Sequence, residues 1–320
     1  MFRGTFTALV TPFRNGAIDF TALRNLIESQ IAAGIDGIIA VGTTGESPTL
    51  THDERKEVIR CAIETANKRC LVLAGTGSYS TREAIAATEE AEKLGVDGAL
   101  LVAPYYNKPS QEGLFRHFSA IAKSTPLRLM LYNIPGRCGV DIAAETVARI
   151  QGDCPNVVSI KEAGGNVDRV SELRARLPDA FTVLSGDDGL TLPFLAAGAV
   201  GVVSVASNLL PREMCNLVDA FVNGDLKRAE GLHRKLYWLF KDLFIEPNPV
   251  PIKTALSWRG TILAEVRLPL CEMSAANQAR LRKPWRDLKA NNALLVVPAV
   301  AGGRIPGPAA GNSGSYNGGK

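Results

Sequence analysis

The sequence predicts a (β/α)8 barrel, a closed ring of eight parallel strands surrounded by helices, followed by a C-terminal helical domain. Eight short apolar runs each precede a segment with helical periodicity, at intervals of about thirty residues, and this alternation implies parallel strand pairing. Polar motifs follow nearly every run, which is where a barrel carries its active-site loops. A doubly wound open sheet is the alternative, but such a sheet gathers these motifs at a single crevice.

The predicted strands are short runs of aliphatic and β-branched residues. They are expected at residues 6–10, 37–41, 71–74, 98–103, 127–132, 157–161, 181–184 and 200–205. The helices between them have apolar residues three and four positions apart and polar residues at their starts. Thr51 with Glu54 and Ser80 with Glu83 have the spacing of capping boxes, and Ser110 is expected to open a further helix.

Changes in this pattern predict the domain boundaries. Residues 1–207 are expected to form the barrel, and residues 208–290 a helical domain that contains a stiff, proline-rich connector at 246–251. Residues 291–320 are rich in Gly, Pro, Ala, Ser and Asn and contain no acidic residue. This composition is typical of a disordered tail.

Composition narrows the class of protein. The chain has 320 residues, 46% of them hydrophobic, and a net charge of +4 without a dense Lys/Arg run, which does not favour nucleic-acid binding. The six cysteines form no C-x-x-C pair and lie far from clustered histidines, so free thiols in a reducing compartment and no metal site are expected. The N-terminus lacks the layout of a signal peptide, and no apolar stretch is long enough to span a bilayer. The expectation is a cytoplasmic protein.

The strand predicted from Val157 carries a lysine near its carboxyl end. Strict alternation places Val157, Ser159 and Lys161 on one face of this strand. A lysine that faces a core loses hydration. Its amine either reaches out from the strand end to water, or has a pKa lowered by burial and attacks a carbonyl to form a Schiff base. The motifs in the rest of the chain decide between these interpretations.

Three polar motifs follow other predicted strands. The loop at 42–47 offers backbone N–H groups and two threonine hydroxyls to an anion, although an ordinary βα turn has the same composition. Tyr105 and Tyr106 supply paired phenols, either to a site or to packing at the barrel rim. Tyr132 and Arg137 place a phenol and a guanidinium on one turn, where the arginine could hold a carboxylate through two hydrogen bonds or lie exposed in the loop.

Other motifs favour structural interpretations. Asp187 and Asp188 suggest metal or acid–base chemistry, but helix capping explains them better. The loop at 75–80 begins like a dinucleotide fingerprint and lacks its third glycine. The three histidines have no metal-ligand spacing and are expected on surfaces or faces of helices. They are His52, His117 and His233.

Taken together, these motifs resemble the dihydrodipicolinate synthases, within the pyruvate-dependent class I aldolase superfamily. The resemblance runs from Gly4 to about Leu288 and rests on motifs at 42–47, 104–107, 132–135, 160–163, 185–188 and 246–249. It implies a barrel enzyme that condenses pyruvate with L-aspartate 4-semialdehyde to 4-hydroxy-tetrahydrodipicolinate in diaminopimelate and lysine biosynthesis. It also implies a covalent Schiff base in place of any metal or cofactor, and a homotetramer built as a dimer of dimers.

The resemblance assigns roles to individual residues. Lys161 would form the Schiff base with pyruvate, and Tyr132 would move protons through Thr43 to Tyr106 of a neighbouring subunit. The remaining substrate contacts would come from one residue for the pyruvate carboxylate, one for the carboxylate of the semialdehyde and two backbone groups that line the pyruvate pocket. In that order they are Thr44, Arg137, Gly186 and Val203.

Family members that respond to lysine bind it between subunits, and the resemblance places a candidate allosteric site here. Its positions are Ser47, Pro48, His52, Arg55, Tyr79, Glu83 and Tyr105. Arg55 and Tyr79 depart from the histidine and asparagine that sensitive bacterial enzymes often carry. The expectation is therefore weak or absent inhibition by lysine.

Two other functions compete with the synthase. An N-acetylneuraminate or 2-keto-3-deoxy sugar acid aldolase of the same superfamily would share Lys161 and Tyr132, whereas Thr43 and, more strongly, Arg137 favour the synthase. A non-catalytic ligand-binding barrel would be expected to have lost the lysine or the tyrosine, and both are present.

Overall fold

The computed structural model describes residues 1–290, so the predicted tail at 291–320 lies outside the described residues. The strands, in chain order, are β1 (Gly4–Ala8), β2 (Phe13–Arg14), β3 (Ala17–Ile18), β4 (Gly37–Ala40), β5 (Leu71–Gly75), β6 (Gly98–Val102), β7 (Arg128–Asn133), β8 (Val157–Glu162), β9 (Thr182–Ser185) and β10 (Gly201–Ser204). Eight of them pair in parallel and close a barrel in the order β1-β10-β9-β8-β7-β6-β5-β4. The predicted barrel is confirmed, and β2 and β3 form a small additional hairpin.

The helices of the described residues follow the strands and continue past the barrel. They are α1 (Phe20–Ala33), α2 (His52–Ala66), α3 (Thr81–Leu94), α4 (Gln111–Lys123), α5 (Pro135–Cys138), α6 (Ala144–Asp153), α7 (Asp168–Arg176), α8 (Thr191–Ala196), α9 (Pro211–Val222), α10 (Leu226–Asp242), α11 (Val250–Trp258) and α12 (Ala275–Ala290). Helix α9 packs against β1, so the first helix beyond the predicted boundary at residue 207 covers barrel surface. Helix α10 packs on α9, and α12 packs on both α10 and α11.

The two predicted capping boxes differ. Thr51 accepts a hydrogen bond from the Glu54 amide, and the Glu54 carboxylate accepts one from the Thr51 amide at 2.8 Å, so the first box is complete. Ser80 accepts from the Glu83 amide at 3.4 Å, but the Glu83 carboxylate accepts from the Ser78 hydroxyl instead of returning to Ser80. The second box is therefore only half formed, because a nearby hydroxyl competes for the carboxylate.

The barrel has an interior cluster and an outer layer that faces the helices. Phe6, Met130 and Leu184 belong to the interior cluster. One face prediction is wrong: β7 pairs Leu129 with Val157 and then Met130 with Ser159, so β8 contains a bulge at Val158. The bulge turns Val157 to the outer layer, away from the face of Lys161. After the bulge the register aligns Lys161 with Tyr132, which lies in the interior cluster.

No helix within residues 1–290 combines the length and the apolar character that crossing a membrane requires.

Candidate active site

Lys161 occupies the carboxyl end of β8, at the end of the barrel where catalytic groups are found in this fold. Its side chain is only 5% exposed. Burial lowers the pKa of the amine to about 7; the negative charge of Asp188 opposes this shift, and the positive charge of Arg137 adds to it. Near neutral pH part of the amine population is therefore uncharged and able to act as a nucleophile.

Tyr132 lies directly beside this amine. The Lys161 Nζ stands 4.1 Å from the centroid of the tyrosine ring. Burial raises the pKa of Tyr132 to about 12, while the charge of Arg137 and a hydrogen bond with Thr43 act in the opposite direction. The phenol thus keeps its proton at neutral pH and can donate it.

Gly186 leaves the space that the lysine side chain needs. A Cβ at this position would lie 2.6 Å from the Ala163 Cβ and 3.1 Å from the Lys161 Cε. The Gly186 amide donates to the Glu162 carbonyl at 2.7 Å, which fixes the backbone in this close approach. Val203 is fully buried in the interior cluster on β10. Any larger residue at 186 would therefore collide with the Ala163 Cβ and crowd the Lys161 side chain.

The loop after β4 brings a second set of groups. Thr44 is 3% exposed, and its Oγ1 accepts a hydrogen bond from the Asn248 Nδ2 at 2.9 Å. The Arg137 Nη2 donates to the Asn248 carbonyl at 3.4 Å. One residue of the predicted connector thus contacts both predicted carboxylate-binding residues. The sequence marked this stretch as a stiff connector and as one motif of the family resemblance, but neither predicted a contact of Asn248 with the site.

Asp188 makes contacts that the capping interpretation did not predict. Asp187 caps the following turn as predicted, because its Oδ1 accepts from the Gly189 amide at 2.7 Å. Asp188 is instead 1% exposed, and its Oδ2 accepts from the amides of Val205 and Ala206 at 3.1 and 2.9 Å. Its Oδ1 has no hydrogen-bond partner among the described residues. Burial raises the pKa of Asp188 to about 6, so the carboxylate is mostly charged at neutral pH.

Tyr106 is not brought to this site within one chain. Its side chain is 91% exposed, and its backbone φ of 66° lies in the left-handed region. The residue therefore points its phenol away from the barrel of its own chain, whereas Tyr132 and Lys161 meet inside it.

Most of the candidate allosteric residues lie near one another. The rings of Tyr79 and Tyr105 meet edge to face with centroids 5.2 Å apart. Burial raises the pKa of Tyr105, and the neighbouring charges that act on it include Arg55 and Glu83. The Arg55 Nη2 donates to the Ser47 carbonyl at 2.8 Å.

His52 precedes Arg55 by one turn of α2, but its side chain contacts a residue outside the candidate group. Its imidazole faces the Glu90 carboxylate on α3, with 3.2 Å between the Nε2 and the nearer oxygen. Glu90 is two helical turns beyond Glu83, the member of the group that α3 carries.

The histidines do not gather with other potential metal ligands. Within residues 1–290, no group of three or more His, Cys, Asp or Glu side chains is arranged to hold a metal ion. His117 lies on α4, in agreement with the helix-face alternative; it is only 6% exposed and shares a hydrogen bond of 2.9 Å with the Thr81 hydroxyl. Burial lowers the pKa of His117 to about 4, so the ring is neutral at physiological pH.

The barrel and the buried amine at the carboxyl end of its strands define a lyase of the class I aldolase type. The sequence profile of the Dihydrodipicolinate synthetase family matches residues 1–287. The chain belongs to this family.

Individual relatives are similar over nearly their whole length. The chain is 52% identical to the 4-hydroxy-tetrahydrodipicolinate synthase of Geobacter sp. (strain M21) over 289 residues, which are 90% of this chain and 99% of the relative. The solved structure of the 4-hydroxy-tetrahydrodipicolinate synthase from Methylacidiphilum fumariolicum SolV is 57% identical, with a TM-score of 0.90 over 91% of this chain and 97% of that one. The dihydrodipicolinate synthase structure from Aquifex aeolicus is 48% identical, with a TM-score of 0.89 over 90% and 98%.

Proposed function

We propose that this protein condenses pyruvate with L-aspartate 4-semialdehyde to give 4-hydroxy-tetrahydrodipicolinate, a step in the biosynthesis of diaminopimelate and lysine. The observation that carries this function is the buried Lys161 amine, which is partly uncharged at neutral pH and stands beside a protonated phenol. The chain belongs to the Dihydrodipicolinate synthetase family, and relatives about 50% identical to it are named 4-hydroxy-tetrahydrodipicolinate synthase. This likeness favours the synthase reaction over the other reactions of class I aldolases.

The chemistry begins with the neutral Lys161 amine. It attacks the ketone carbon of pyruvate, and loss of water gives an iminium that draws electrons from the methyl group. The methyl carbon loses a proton and becomes an enamine, which forms a carbon–carbon bond to the aldehyde of the second substrate. The amine of that substrate then closes the ring and displaces Lys161 by transimination, which frees the enzyme. The covalent intermediate supplies the electron sink, so the proposal needs no metal or other cofactor.

Each proton transfer in this sequence needs a donor or acceptor within reach of the reacting carbon. Tyr132 takes this role because its phenol is protonated at neutral pH and borders the amine. Thr43 hydrogen-bonds to Tyr132 and would pass the proton onward. Tyr106, exposed in one chain, would complete the relay from a neighbouring subunit. We therefore propose that the protein forms a homotetramer, built as a dimer of dimers. We also propose that it works in the cytoplasm.

The carboxylates of the two substrates are proposed to bind at different groups. Thr44 would hold the pyruvate carboxylate, with the backbone of Gly186 and Val203 lining the pocket beside Lys161. Arg137 is exposed and carries a fixed positive charge, which suits the carboxylate of the incoming semialdehyde. Its hydrogen bond to the Asn248 carbonyl ties the guanidinium to the residue that also contacts Thr44.

Two measurements test the function. Borohydride reduction in the presence of pyruvate should add the reduced pyruvate adduct to Lys161, and peptide mass mapping should locate it there. Coupled turnover should then be observed with aspartate semialdehyde and not with N-acetylneuraminate. An adduct on another residue would refute the proposed nucleophile, and turnover of the sugar acid instead would assign the protein to the aldolase alternative.

Lysine is expected to inhibit this protein weakly or not at all. In the candidate allosteric site the Tyr79 ring fills space against Tyr105, and the Arg55 guanidinium is engaged with the Ser47 carbonyl. Both residues would have to move before an amino acid could bind among them. Steady-state turnover at increasing lysine concentrations measures this directly, and half-inhibition at millimolar lysine or below would contradict the expectation.

A further inference from the structure

A buried ion pair anchors the loop that contains Thr43 and Thr44. The Glu46 Oε1 and the Lys253 Nζ are 2.5 Å apart, and both side chains have an exposed fraction of 0%. We propose that this pair is a positioning device that sets the threonine loop in the geometry that binds pyruvate. The inference rests on the proposed function, because it assigns the pyruvate carboxylate to this loop.

Neighbouring residues contact both members of the ion pair. The Glu46 Oε2 accepts a hydrogen bond from the Arg267 amide at 3.0 Å. The Lys253 Nζ lies 4.2 Å from the centroid of the Phe13 ring, and the Arg267 guanidinium lies 4.4 Å from the same centroid. A buried charge pair of this kind contributes little net stability compared with apolar side chains of the same size. Its value for the protein is the single geometry that it enforces.

The position of Glu46 in the loop connects the pair to the substrate. Glu46 is two residues from Thr44 and adopts a backbone φ of 54°, a left-handed conformation that is unfavourable for a residue with a side chain. The loop therefore needs an external contact that keeps this residue in place, and Lys253 provides it from α11.

The same segment holds the loop at a second point. Asn248, five residues before Lys253, donates to the Thr44 hydroxyl. The two contacts bind the loop on both sides of Gly45, so a shift of α11 would be transmitted to Thr44. The helical region beyond the barrel thereby becomes part of the pyruvate site without supplying a reacting group.

The experiment compares three variants, Glu46→Gln, Lys253→Met and the double variant, with the wild-type chain. Each single substitution leaves one buried charge without its partner and should lower the melting temperature. The double variant removes both charges and should recover most of that loss. We nevertheless expect the pyruvate concentration that half-saturates the borohydride adduct to rise about tenfold in the double variant, because the loop is no longer held in one geometry.

A matched control removes an ion pair of the helical region that does not contact the loop. The Arg280 Nε donates to the Asp242 Oδ1 at 2.8 Å, and Asp242 is 7% exposed. The double variant Asp242→Asn/Arg280→Met should retain wild-type half-saturation by pyruvate. The KM for aspartate semialdehyde should change less than that for pyruvate in the Glu46→Gln/Lys253→Met variant, since Arg137 is anchored through Asn248.

The outcomes separate this inference from the proposed function. A folded Glu46→Gln/Lys253→Met variant with unchanged half-saturation by pyruvate would overturn the positioning role and leave the proposed function intact. If the double variant does not fold, Glu46→Gln alone decides by the same criterion, with a raised half-saturation supporting the role and an unchanged one overturning it. A wild-type chain that forms no pyruvate adduct would overturn the proposed function and this inference together.

Discussion

Two tyrosines of this protein were predicted to serve one proton relay, yet they occupy opposite environments. Tyr132 is 5% exposed inside the barrel, whereas Tyr106 is 91% exposed on the outside. Burial raises the pKa of Tyr132 to about 12 and lowers that of the neighbouring Lys161 to about 7. The barrel interior therefore shifts the pKa values of its own groups within a single chain.

The difference separates the groups that one chain holds together inside its barrel from the group that the proposed relay takes from a neighbouring subunit. The amine, its adjoining phenol and the glycine that makes room for the lysine are all held by barrel strands or the first residues after them. The exposed tyrosine lies on a loop, and its neighbour Tyr105 packs on Tyr79. A substitution inside the barrel should therefore impair only the site of the chain that carries it. A substitution at Tyr106 should impair the site of the neighbouring subunit in the proposed tetramer.

The largest effect is expected for Lys161→Met. This substitution keeps an unbranched apolar stem of similar length and removes the nucleophile, so turnover should fall by at least about a thousandfold and the pyruvate adduct should disappear. Borohydride trapping with mass mapping measures both. Lys227→Met, at an exposed lysine of α10, is the matched control and should behave as the wild type. Residual trapping in the Lys161 variant would mean that another amine is the nucleophile.

The next effect is expected for Tyr132→Phe. The ring remains beside the amine, but the proton donor is lost, so kcat should fall about a hundredfold or more. The pyruvate concentration that half-saturates the adduct should change little, because no carboxylate contact is removed. A variant that loses pyruvate binding and turnover in parallel would argue for a packing role of the phenol instead of proton transfer.

Tyr106→Phe should have a smaller effect and lower kcat about tenfold. A neighbouring subunit with an intact Tyr106 should restore the lost activity. Co-expression of this variant with Lys161→Met produces mixed dimers in which the intact lysine of one chain meets the intact tyrosine of the other. If the tyrosine works across subunits, the mixture should regain about a quarter of wild-type activity by random pairing. Activity no higher than that of the two variants assayed separately would show that Tyr106 acts in its own chain or not at all.

The sequence predicted the barrel and the place of Lys161 because both depend on local patterns, strand alternation and polar residues after strands. It could not locate the bulge before Ser159, since the register of a strand is set by its neighbours. The contacts of Asn248 with Thr44 and of Lys253 with Glu46 join residues 204 and 207 positions apart, and such pairs leave no periodic signal in a chain. The family resemblance supplied roles for side chains, but only the structure gives their burial and their pKa values.

The smallest effect is expected for Asp188→Asn, and it tests how the interior tunes its amine. The Asp188 carboxylate raises the pKa of Lys161 against the effect of burial. Its own pKa of about 6 means that it carries its charge at neutral pH. Replacing it with an amide of the same shape removes that charge and keeps an oxygen that can accept from the Val205 and Ala206 amides.

The sign of the effect follows from the charge that is removed. Without the carboxylate, the protonated amine loses a stabilising neighbour, so the pKa of Lys161 falls further below its ordinary value. The acid limb of the pH profile for pyruvate adduct formation should therefore move down by about half a pH unit. Asp187→Asn is the matched control, since that side chain caps the Gly189 amide instead. An unchanged limb with Asp188→Asn would assign Asp188 a purely structural role on the Val205 and Ala206 backbone, and a shift toward higher pH would contradict the electrostatic account of the amine.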